Sequence, residues 1–273
     1  MIFTKVNNLP RRLNKDTHVN NLKFKQFVVF ITFCFLISCK NDADKLSEIQ
    51  GKQIPIDSTY AQTDSIEAFV EPYRKRINEI LDSTLAYAPK PLLLNDGERT
   101  SSMGNLLADI VLEQAAPIFN SRTEKTLDFV VLNAGGVRSI ISEGNVTARN
   151  AYEVMPFENY IEVVELSGSA TRELINFVAK SSRRHPVSGI EIVTDKNGSL
   201  ESVNIQGQPF DESRNYFVAS SDYLVNGGPS VGFFDQIVSR TATDYLLRNA
   251  MIDYFKKMDT LQAVADDRIK QLN

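Results

Sequence analysis

An apolar run near the N-terminus, Phe27 to Cys39, separates the chain into a targeting segment and a segment that can fold. The uninterrupted apolar part is about a dozen residues, shorter than the roughly 20 that a membrane-spanning helix needs. Basic residues precede it: Arg11, Arg12, Lys15, Lys23 and Lys25. This order is typical of an export signal, and the alternative is an uncleaved anchor helix. Both interpretations place the folded part outside the cytoplasmic membrane.

The end of this run, Leu36-Ile-Ser-Cys39, resembles the lipobox of bacterial lipoproteins. The resemblance implies that residues 1–38 are a signal peptide and that Cys39 is acylated. Residues 39–65 are polar, mixed in charge, and contain Gly51 and Pro55, which predicts a tether. We therefore expect a protein of the cell envelope, anchored to a membrane by lipid, on the periplasmic or outer-membrane face.

The composition of the remaining part predicts one folded domain. About 210 residues remain, enough for a full-size hydrophobic core. Hydrophobic residues make up 42% and charged residues 23% of the chain, so disorder is not indicated. The net charge of -4 argues against a nucleic-acid polymer as partner, since backbone binding needs a basic face. A small nucleotide needs only a few local cations and stays compatible.

Cysteine and histidine content restricts the chemistry. The two cysteines are Cys34, inside the apolar run, and Cys39, so the mature domain has no thiol for a metal or a nucleophile. The two histidines, His18 and His185, cannot build a metal-hydrolase centre that depends on several histidines. A Ser-His-Asp triad would need a G-x-S-x-G elbow, and the sequence has none. We expect no catalytic residue and no metal in this chain, and His185 on a surface loop.

Apolar periodicity predicts a mixed α/β (α+β) domain over residues 66–258, with a C-terminal tail at 259–273. Helices are predicted at 66–84, 102–113, 148–154, 169–180 and 243–258. Strands are predicted at 127–132, 161–166, 190–194 and 216–220, and a strand followed by a turn at 203–210.

The loop Asn133-Ala-Gly-Gly-Val-Arg138 is the first candidate for chemistry. Adjacent glycines after a strand allow backbone N–H groups to approach a ligand, and the arginine can present a fork of donors to a phosphate or carboxylate. A glycine pair in this position is also common in simple tight turns. The loop alone therefore does not decide between a binding site and a turn.

Further motifs around this loop occur in a fixed order. They are Arg99-Thr-Ser-Ser-Met-Gly104-Asn-Leu-Leu-Ala-Asp109, Gly144-Asn-Val-Thr147, Pro156-Phe-Glu-Asn159, Val163-Val-Glu-Leu-Ser-Gly168, Ser188-Gly-Ile190 and Asp222-Tyr-Leu-Val-Asn-Gly-Gly228. Together with the Asn133 loop they resemble the C-terminal, substrate-binding domain of the 5′-nucleotidase family, over about residues 66–258. The resemblance implies a single domain with a mixed sheet and flanking helices.

The resemblance also implies roles for individual residues. A nucleobase would be sandwiched between Phe157 and Tyr223, an arrangement that discriminates little among bases. Arg99 and Arg138 match phosphate-contacting arginines, and Asn133 matches an asparagine that contacts base or substrate. The remaining matched positions are Gly135, Gly136 and Gly189, where backbone comes close to the ligand, and Asn226 of the Asn-Gly-Gly motif.

The segment after Asn226-Gly-Gly228 departs from the family pattern. The family usually has an aspartate there that accepts hydrogen bonds from the ribose, but this chain has Pro229 and Ser230. Proline offers no side-chain acceptor and no N–H. A lost hydrogen bond costs about 0.5–1.5 kcal/mol, which predicts weakened or altered ribose recognition.

Full-length members of the family carry a dinuclear metallophosphoesterase domain before this one. We therefore expect a free-standing substrate-binding half, without a metal cofactor, that binds nucleotide or nucleoside. A separately encoded metallophosphatase would supply the divalent metals and complete a site for nucleotide catabolism. The alternatives are a non-catalytic nucleoside-binding protein and a structural surface lipoprotein.

Overall fold

The computed structural model describes residues 16–37, 49–57, 63–227 and 232–272. The chain divides into two compact units, Met1–Ala61 and Gln62–Asn273. The first unit contains helix α1 (Asp16–Ile37), followed at 49–57 by backbone without regular secondary structure. In the described part of the chain, no helix combines the length and hydropathy that a membrane span requires. The predicted acylation site, Cys39, lies outside the described residues.

The second unit has the mixed α+β architecture predicted from the sequence. Its helices are α2 (Asp64–Leu81), α3 (Ser102–Thr123), α4 (Ala148–Val154), α5 (Gly168–Lys180), α6 (Asp222–Val225) and α7 (Leu247–Lys257), with short 3-10 turns at Ala134–Gly136 and Gly232–Gln236. Its strands are β1 (Thr84–Ala88), β2 (Phe129–Val131), β3 (Gly144–Thr147), β4 (Tyr160–Leu166), β5 (Val187–Ser188), β6 (Ile190–Thr194), β7 (Leu200–Ile205), β8 (Gln208–Pro209), β9 (Tyr216–Ser221), β10 (Ile237–Leu246) and β11 (Ile269–Gln271).

A five-stranded sheet of order β10-β4-β9-β2-β5 forms the centre of this unit. Successive residues of a strand point to opposite faces of a sheet, and the inner strand β2 is buried on both faces. In β2, Val130 packs into one hydrophobic cluster with α3 and α7, whereas Phe129 and Val131 pack into a second cluster with α5. Strands β1 and β3 form a small sheet, and β11-β6-β7-β8 form a third.

The residues at the two ends of helix α3 explain where this helix begins and ends. The Ser101 side chain accepts a hydrogen bond from the Gly104 N–H, which caps the helix at its N-terminus. The helix runs past the predicted end at 113 and continues to Thr123, with Pro117 inside it. Glu124 ends it in the left-handed conformation, with φ of 60°.

Two predictions near the C-terminus are wrong. Residues 243–246, predicted as helix, are the end of strand β10, and α7 begins at Leu247. Residues 259–273, predicted as a tail, contribute β11, which pairs in parallel with β6. Arg268 holds this segment to the domain because its Nη1 donates to Asp109 of α3 and to the Val187 carbonyl oxygen, each at 2.8 Å.

Helix α2 lies on the surface of this unit and buries none of its side chains. At its C-terminal end, Arg149 of α4 bonds to Asp82 at 2.5 Å and to Asn78 at 2.9 Å. Its large apolar side chains are exposed: Ile66, Phe69, Val70, Tyr73, Ile77 and Ile80.

Candidate functional site

Three strands bring the candidate residues to one edge of the central sheet. Strands β2 and β9 are parallel, so the segments that follow them leave the sheet at the same edge. Strand β4 is antiparallel to β9, so the segment that precedes β4 arrives at that edge as well. Asn133 follows β2, Tyr223 follows β9, and Phe157 precedes β4. Residues far apart in the sequence therefore meet because of strand direction.

A cavity of about 380 Å³ lies at this edge. Its lining contains six of the nine predicted binding residues: Asn133, Gly135, Gly136, Arg138, Phe157 and Tyr223. Asn159 and Arg183 complete the lining. Neither was selected from the sequence, although Asn159 ends the Pro156-Phe-Glu-Asn159 motif and Arg183 belongs to an adjacent arginine pair.

The two aromatic side chains of this cavity are half-exposed. Phe157 is 47% and Tyr223 is 49% exposed, although large aromatic side chains are on average well buried in folded proteins. Aromatic faces left open in a cavity are suited to stack on a flat, apolar ligand, which contributes about 1–3 kcal/mol for a base in nucleic-acid binders. The cavity therefore offers flat apolar surface beside amide and guanidinium donors.

The Asn133 loop is held by its own side chain. Asn133 Oδ1 accepts a hydrogen bond from the Gly135 N–H at 3.1 Å, which closes the turn Ala134–Gly136. The residues with positive φ do not include Gly135 or Gly136. A Cβ atom at Gly135 would lie 3.5 Å from its nearest neighbours, and one at Gly136 would lie 3.8 Å from Met155. Neither the backbone conformation nor the packing requires glycine at these two positions, so alanine would be compatible with the fold. The absence of a side chain leaves room in the cavity.

The two arginines that match phosphate-contacting positions are bonded to backbone carbonyls. Arg138 donates from Nη1 to the Gly135 oxygen at 3.2 Å and is exposed beside the cavity. Arg99 donates to the Ala179 oxygen and does not line this cavity. Of the two arginines predicted to contact phosphate, Arg138 lines the cavity and Arg99 does not. Arg183, which was not predicted, is a second cation in the cavity wall.

Two further predicted residues lie elsewhere. Gly189 lines a separate polar cavity with Asp109 and Arg268. It has φ of +77°, and a Cβ there would lie 2.8 Å from the Asp128 oxygen, so close packing of the protein explains this glycine without a ligand. Asn226 accepts a hydrogen bond from Arg240 Nη1 at 2.9 Å. Pro229, the predicted departure from the family pattern, lies outside the described residues.

Arg248 supports the Phe157 segment and was not selected from the sequence. Although it is 6% exposed, its Nη1 donates to the carbonyl oxygens of Met155 at 3.4 Å and Pro156 at 3.2 Å. Its guanidinium also lies 4.2 Å from the centre of the Tyr152 ring. Its spacing to Met251 and Phe255, three and seven residues on, was the available signal, because it places a charge on the buried stripe of α7.

His185 is buried, which contradicts its predicted position on a surface loop. It is 4% exposed and packs against Phe177, with ring centres 4.9 Å apart. Its Nδ1 lies 3.2 Å from the Leu132 oxygen and 3.4 Å from the Ala134 nitrogen, and its Nε2 lies 3.1 Å from Ser181 Oγ. Two bonding patterns are possible at Nδ1, one for each tautomer, and both tie His185 to the Asn133 loop.

Burial lowers the pKa of His185 below its ordinary value, and the charge of Arg183 acts in the same direction. The hydrogen bond with the Leu132 carbonyl favours the protonated form but does not reverse this shift. At neutral pH the ring is therefore uncharged. In the part of the chain that the structure describes, no group of three or more His, Cys, Asp or Glu residues could hold a metal ion.

Comparisons with known proteins give a consistent result. The sequence profile described as "5′-nucleotidase, C-terminal domain" matches residues 86–236. The 5′-nucleotidase of Vibrio vulnificus is 26% identical over 236 residues, which cover 78% of this chain and 40% of that protein. Protein UshA of Yersinia enterocolitica is 28% identical over 140 residues, 50% of this chain and 25% of that protein. Cell wall protein Lmo0130 of Listeria monocytogenes is 25% identical over 202 residues, 66% of this chain and 25% of that protein.

Solved structures show the same fold. The 5′-nucleotidase precursor from Thermus thermophilus superimposes with a TM-score of 0.63 at 25% identity, covering 77% of this chain and 43% of that chain. The NAD nucleotidase of Haemophilus influenzae superimposes with a TM-score of 0.56 at 18% identity, covering 77% of this chain and 42% of that one. The chain thus spans between a quarter and about two fifths of the length of these relatives.

Proposed function

The chain belongs to the 5′-nucleotidase C-terminal domain family, and we propose that it binds a nucleotide or nucleoside in the cavity between Phe157 and Tyr223. One observation carries this proposal. Two aromatic side chains from separate parts of the sequence, each about half-exposed, line one cavity together with Asn133 and Arg138. A base would stack on the rings, and the polar groups would contact the base edge and the phosphate.

The second part of the proposal concerns catalysis. The protein takes part in nucleotide catabolism together with a separately encoded metallophosphoesterase, which holds the divalent metals. The support is compositional, since the domain has His185 as its single histidine and the ring is buried. This chain contributes binding and orientation of the substrate, and no proton transfer is assigned to it.

The proposed location is the cell envelope, with Cys39 as the site of a lipid anchor. The support is the basic segment followed by the short apolar run that ends at Cys39. Similarity to a protein named as a cell wall protein in Listeria monocytogenes agrees with this location. Metabolic labelling with a fatty-acid analogue, compared between the parent and Cys39→Ser, tests the anchor directly.

Calorimetric titration of residues 62–273 with AMP, adenosine and UDP-glucose tests the binding function. We expect heat of binding in the parent and its loss in Phe157→Ala. The matched control is Tyr87→Ala, because Tyr87 is 45% exposed and lies in strand β1 of another sheet. Absence of heat with all three ligands, or equal loss in the control, would contradict the proposal.

Addition of the purified domain to a metallophosphoesterase from the same organism tests the catalytic part. We expect increased hydrolysis of AMP with the parent and none with Phe157→Ala. Binding of nucleotide without any increase in hydrolysis would refute the partner and leave the binding function standing.

A second candidate function is capture of nucleosides without hydrolysis. The observation that favours it is the bonding of both Arg99 and Arg138 to backbone carbonyls, which leaves fewer donors for a phosphate. Equal affinity for adenosine and AMP would support it. A clear preference for AMP would exclude it.

A further inference from the structure

A second cavity, of about 320 Å³, lies next to the aromatic one. The two share Gly135 and Arg183 in their linings. Ser101 and Gly104 at the start of α3, together with Arg184, form other parts of its lining. A ligand that fills the aromatic cavity and extends past Gly135 would therefore enter this second cavity.

The charged groups that line the second cavity are both positive. They are Arg183 and Arg184, and its lining contains no aspartate or glutamate among the described residues. The start of α3 adds little, because its first amides are already bonded: Ser102 N to Asp96, Met103 N to the Leu93 oxygen and Gly104 N to Ser101. The guanidinium groups are thus the donors available to an anion.

Arg183 is better placed for a ligand than the arginines that match the family motifs. Arg99 and Arg138 donate to carbonyl oxygens of the protein. Arg183 is exposed, and its Nη1 would lie 3.5 Å from a Cβ at Gly135, so the guanidinium lies against the wall common to both cavities. Arg184 is more restrained, since its Nε donates to the Gly97 oxygen at 2.8 Å.

We propose that Arg183 binds the phosphate chain of a nucleotide whose base occupies the aromatic cavity, and that the terminal phosphate of a nucleoside diphosphate enters the second cavity beside Arg184. This inference rests on the proposed function and specifies its ligand class. A guanidinium at the junction of the cavities can donate charge-assisted hydrogen bonds to phosphate oxygens, so each added phosphate group strengthens binding. The preferred ligands are therefore diphosphates, then monophosphates, then free nucleosides.

Titration of the full-length chain in detergent with adenosine, AMP and ADP tests this inference. The variants are Arg183→Gln and Arg184→Gln. The control is Arg172→Gln, which removes a half-buried arginine that pairs with Glu212 and lines neither cavity. Circular dichroism should show equal unfolding midpoints for the parent and Arg183→Gln, because Arg183 is exposed.

We expect Arg183→Gln to weaken AMP and ADP binding about tenfold or more and adenosine binding less than about twofold. Arg184→Gln should weaken ADP more than AMP, and Arg172→Gln should change none of the three. Equal weakening of all three ligands by Arg183→Gln, or no change, would overturn the role of Arg183. Equal affinity of the parent for AMP and ADP would overturn the use of the second cavity.

The outcomes separate this inference from the proposed function. Suppose that Phe157→Ala abolishes adenosine binding but Arg183→Gln leaves the ratio of the affinities for AMP and adenosine unchanged. That result would refute only the phosphate site. Failure of the parent to bind adenosine, AMP or ADP would refute both.

Discussion

Arg248 holds the backbone that carries Phe157: its Nη1 lies 3.5 Å from the Phe157 carbonyl oxygen and 3.2 Å from that of Pro156. The guanidinium is buried, and its pairing with Glu158, at 3.7 Å, involves a largely exposed carboxylate. A buried charge is stable only where hydrogen bonds replace water, and here the carbonyls of the Phe157 segment accept from Nη1, whereas Nε has no hydrogen-bond partner among the described residues. The position of the aromatic ring in the cavity therefore depends on a residue that lines no part of it.

Arg248→Met removes these donors and keeps most of the packing of the side chain. We expect a loss of about 1–3 kcal/mol in the free energy of unfolding, because the buried carbonyl oxygen of Met155 and the part-buried one of Pro156 lose their donor. We also expect weaker nucleotide binding, because the Phe157 segment is no longer held in place. Urea unfolding and calorimetric titration measure the two effects. A Met variant with unchanged stability and affinity would show that Arg248 does not position Phe157.

Gly135→Ala should weaken ligand binding without harming the fold. The added methyl group meets neighbours at ordinary contact distance, so the unfolding free energy should fall by less than about 1 kcal/mol or rise slightly. Affinity for nucleotide should fall, because the methyl group takes room from a wall of both cavities.

Gly189→Ala serves as the matched control, because we expect it to lower the stability of the fold, unlike Gly135→Ala. Its positive φ and the 2.8 Å approach to the Asp128 oxygen predict destabilisation of about 1–3 kcal/mol. Thermal unfolding and titration of both variants decide the matter. Destabilisation by Gly135→Ala comparable to that by Gly189→Ala would show that Gly135 is needed by the fold.

Local apolar runs in the sequence predicted three strands of the central sheet, β2, β4 and β9, whereas Phe157 and Tyr223 were selected through the resemblance to the 5′-nucleotidase family. The predicted strands at 161–166 and 190–194 and the helix at 148–154 agree closely with the structure. Asn133 and Tyr223 follow strands and Phe157 precedes one, so these three residues converge once strand directions are known.

The errors arose where long-range contacts decide the structure. Strand β10 is an edge strand with mostly exposed side chains and an irregular register near Asp244, so it lacks the apolar alternation of an inner strand. His185 lies between arginine and proline in the sequence, and only packing against Phe177 buries it. Arg248 could have been noticed from its place on the apolar stripe of α7, but its contacts with Met155 and Pro156, and the place of Arg183 in the cavity wall, depend on segments distant in the chain.

Helix α2 should contribute little to the stability of the domain. It buries no side chain, and its link to α4 through Arg149 is an exposed ion pair of a kind worth about 0–1 kcal/mol. Urea unfolding of residues 83–273 and of 62–273 should therefore give free energies that agree within about 1 kcal/mol. A loss of more than about 2 kcal/mol on removal of α2 would show that its apolar side chains pack against the domain.

Stability should fall as pH decreases through the ordinary titration range of histidine. The pKa of His185 is lower in the folded protein than its ordinary value of 6.5, so below pH 6.5 the unfolded chain binds a proton that the folded chain does not. This contribution is fully present above pH 6.5 and is lost as the pH falls toward the folded pKa. Its slope is at most about 1.4 kcal/mol per pH unit.

Residues 62–273 suit this measurement because His185 is their single histidine. Urea unfolding from pH 7.5 to pH 5 should show a steeper loss of stability in the parent than in His185→Asn, whose neutral amide does not titrate. The difference between the two curves removes the contribution of the carboxylates that both proteins share. Parallel curves would mean that His185 titrates alike in the folded and unfolded chains, so that its burial beside the Asn133 loop does not lower its pKa.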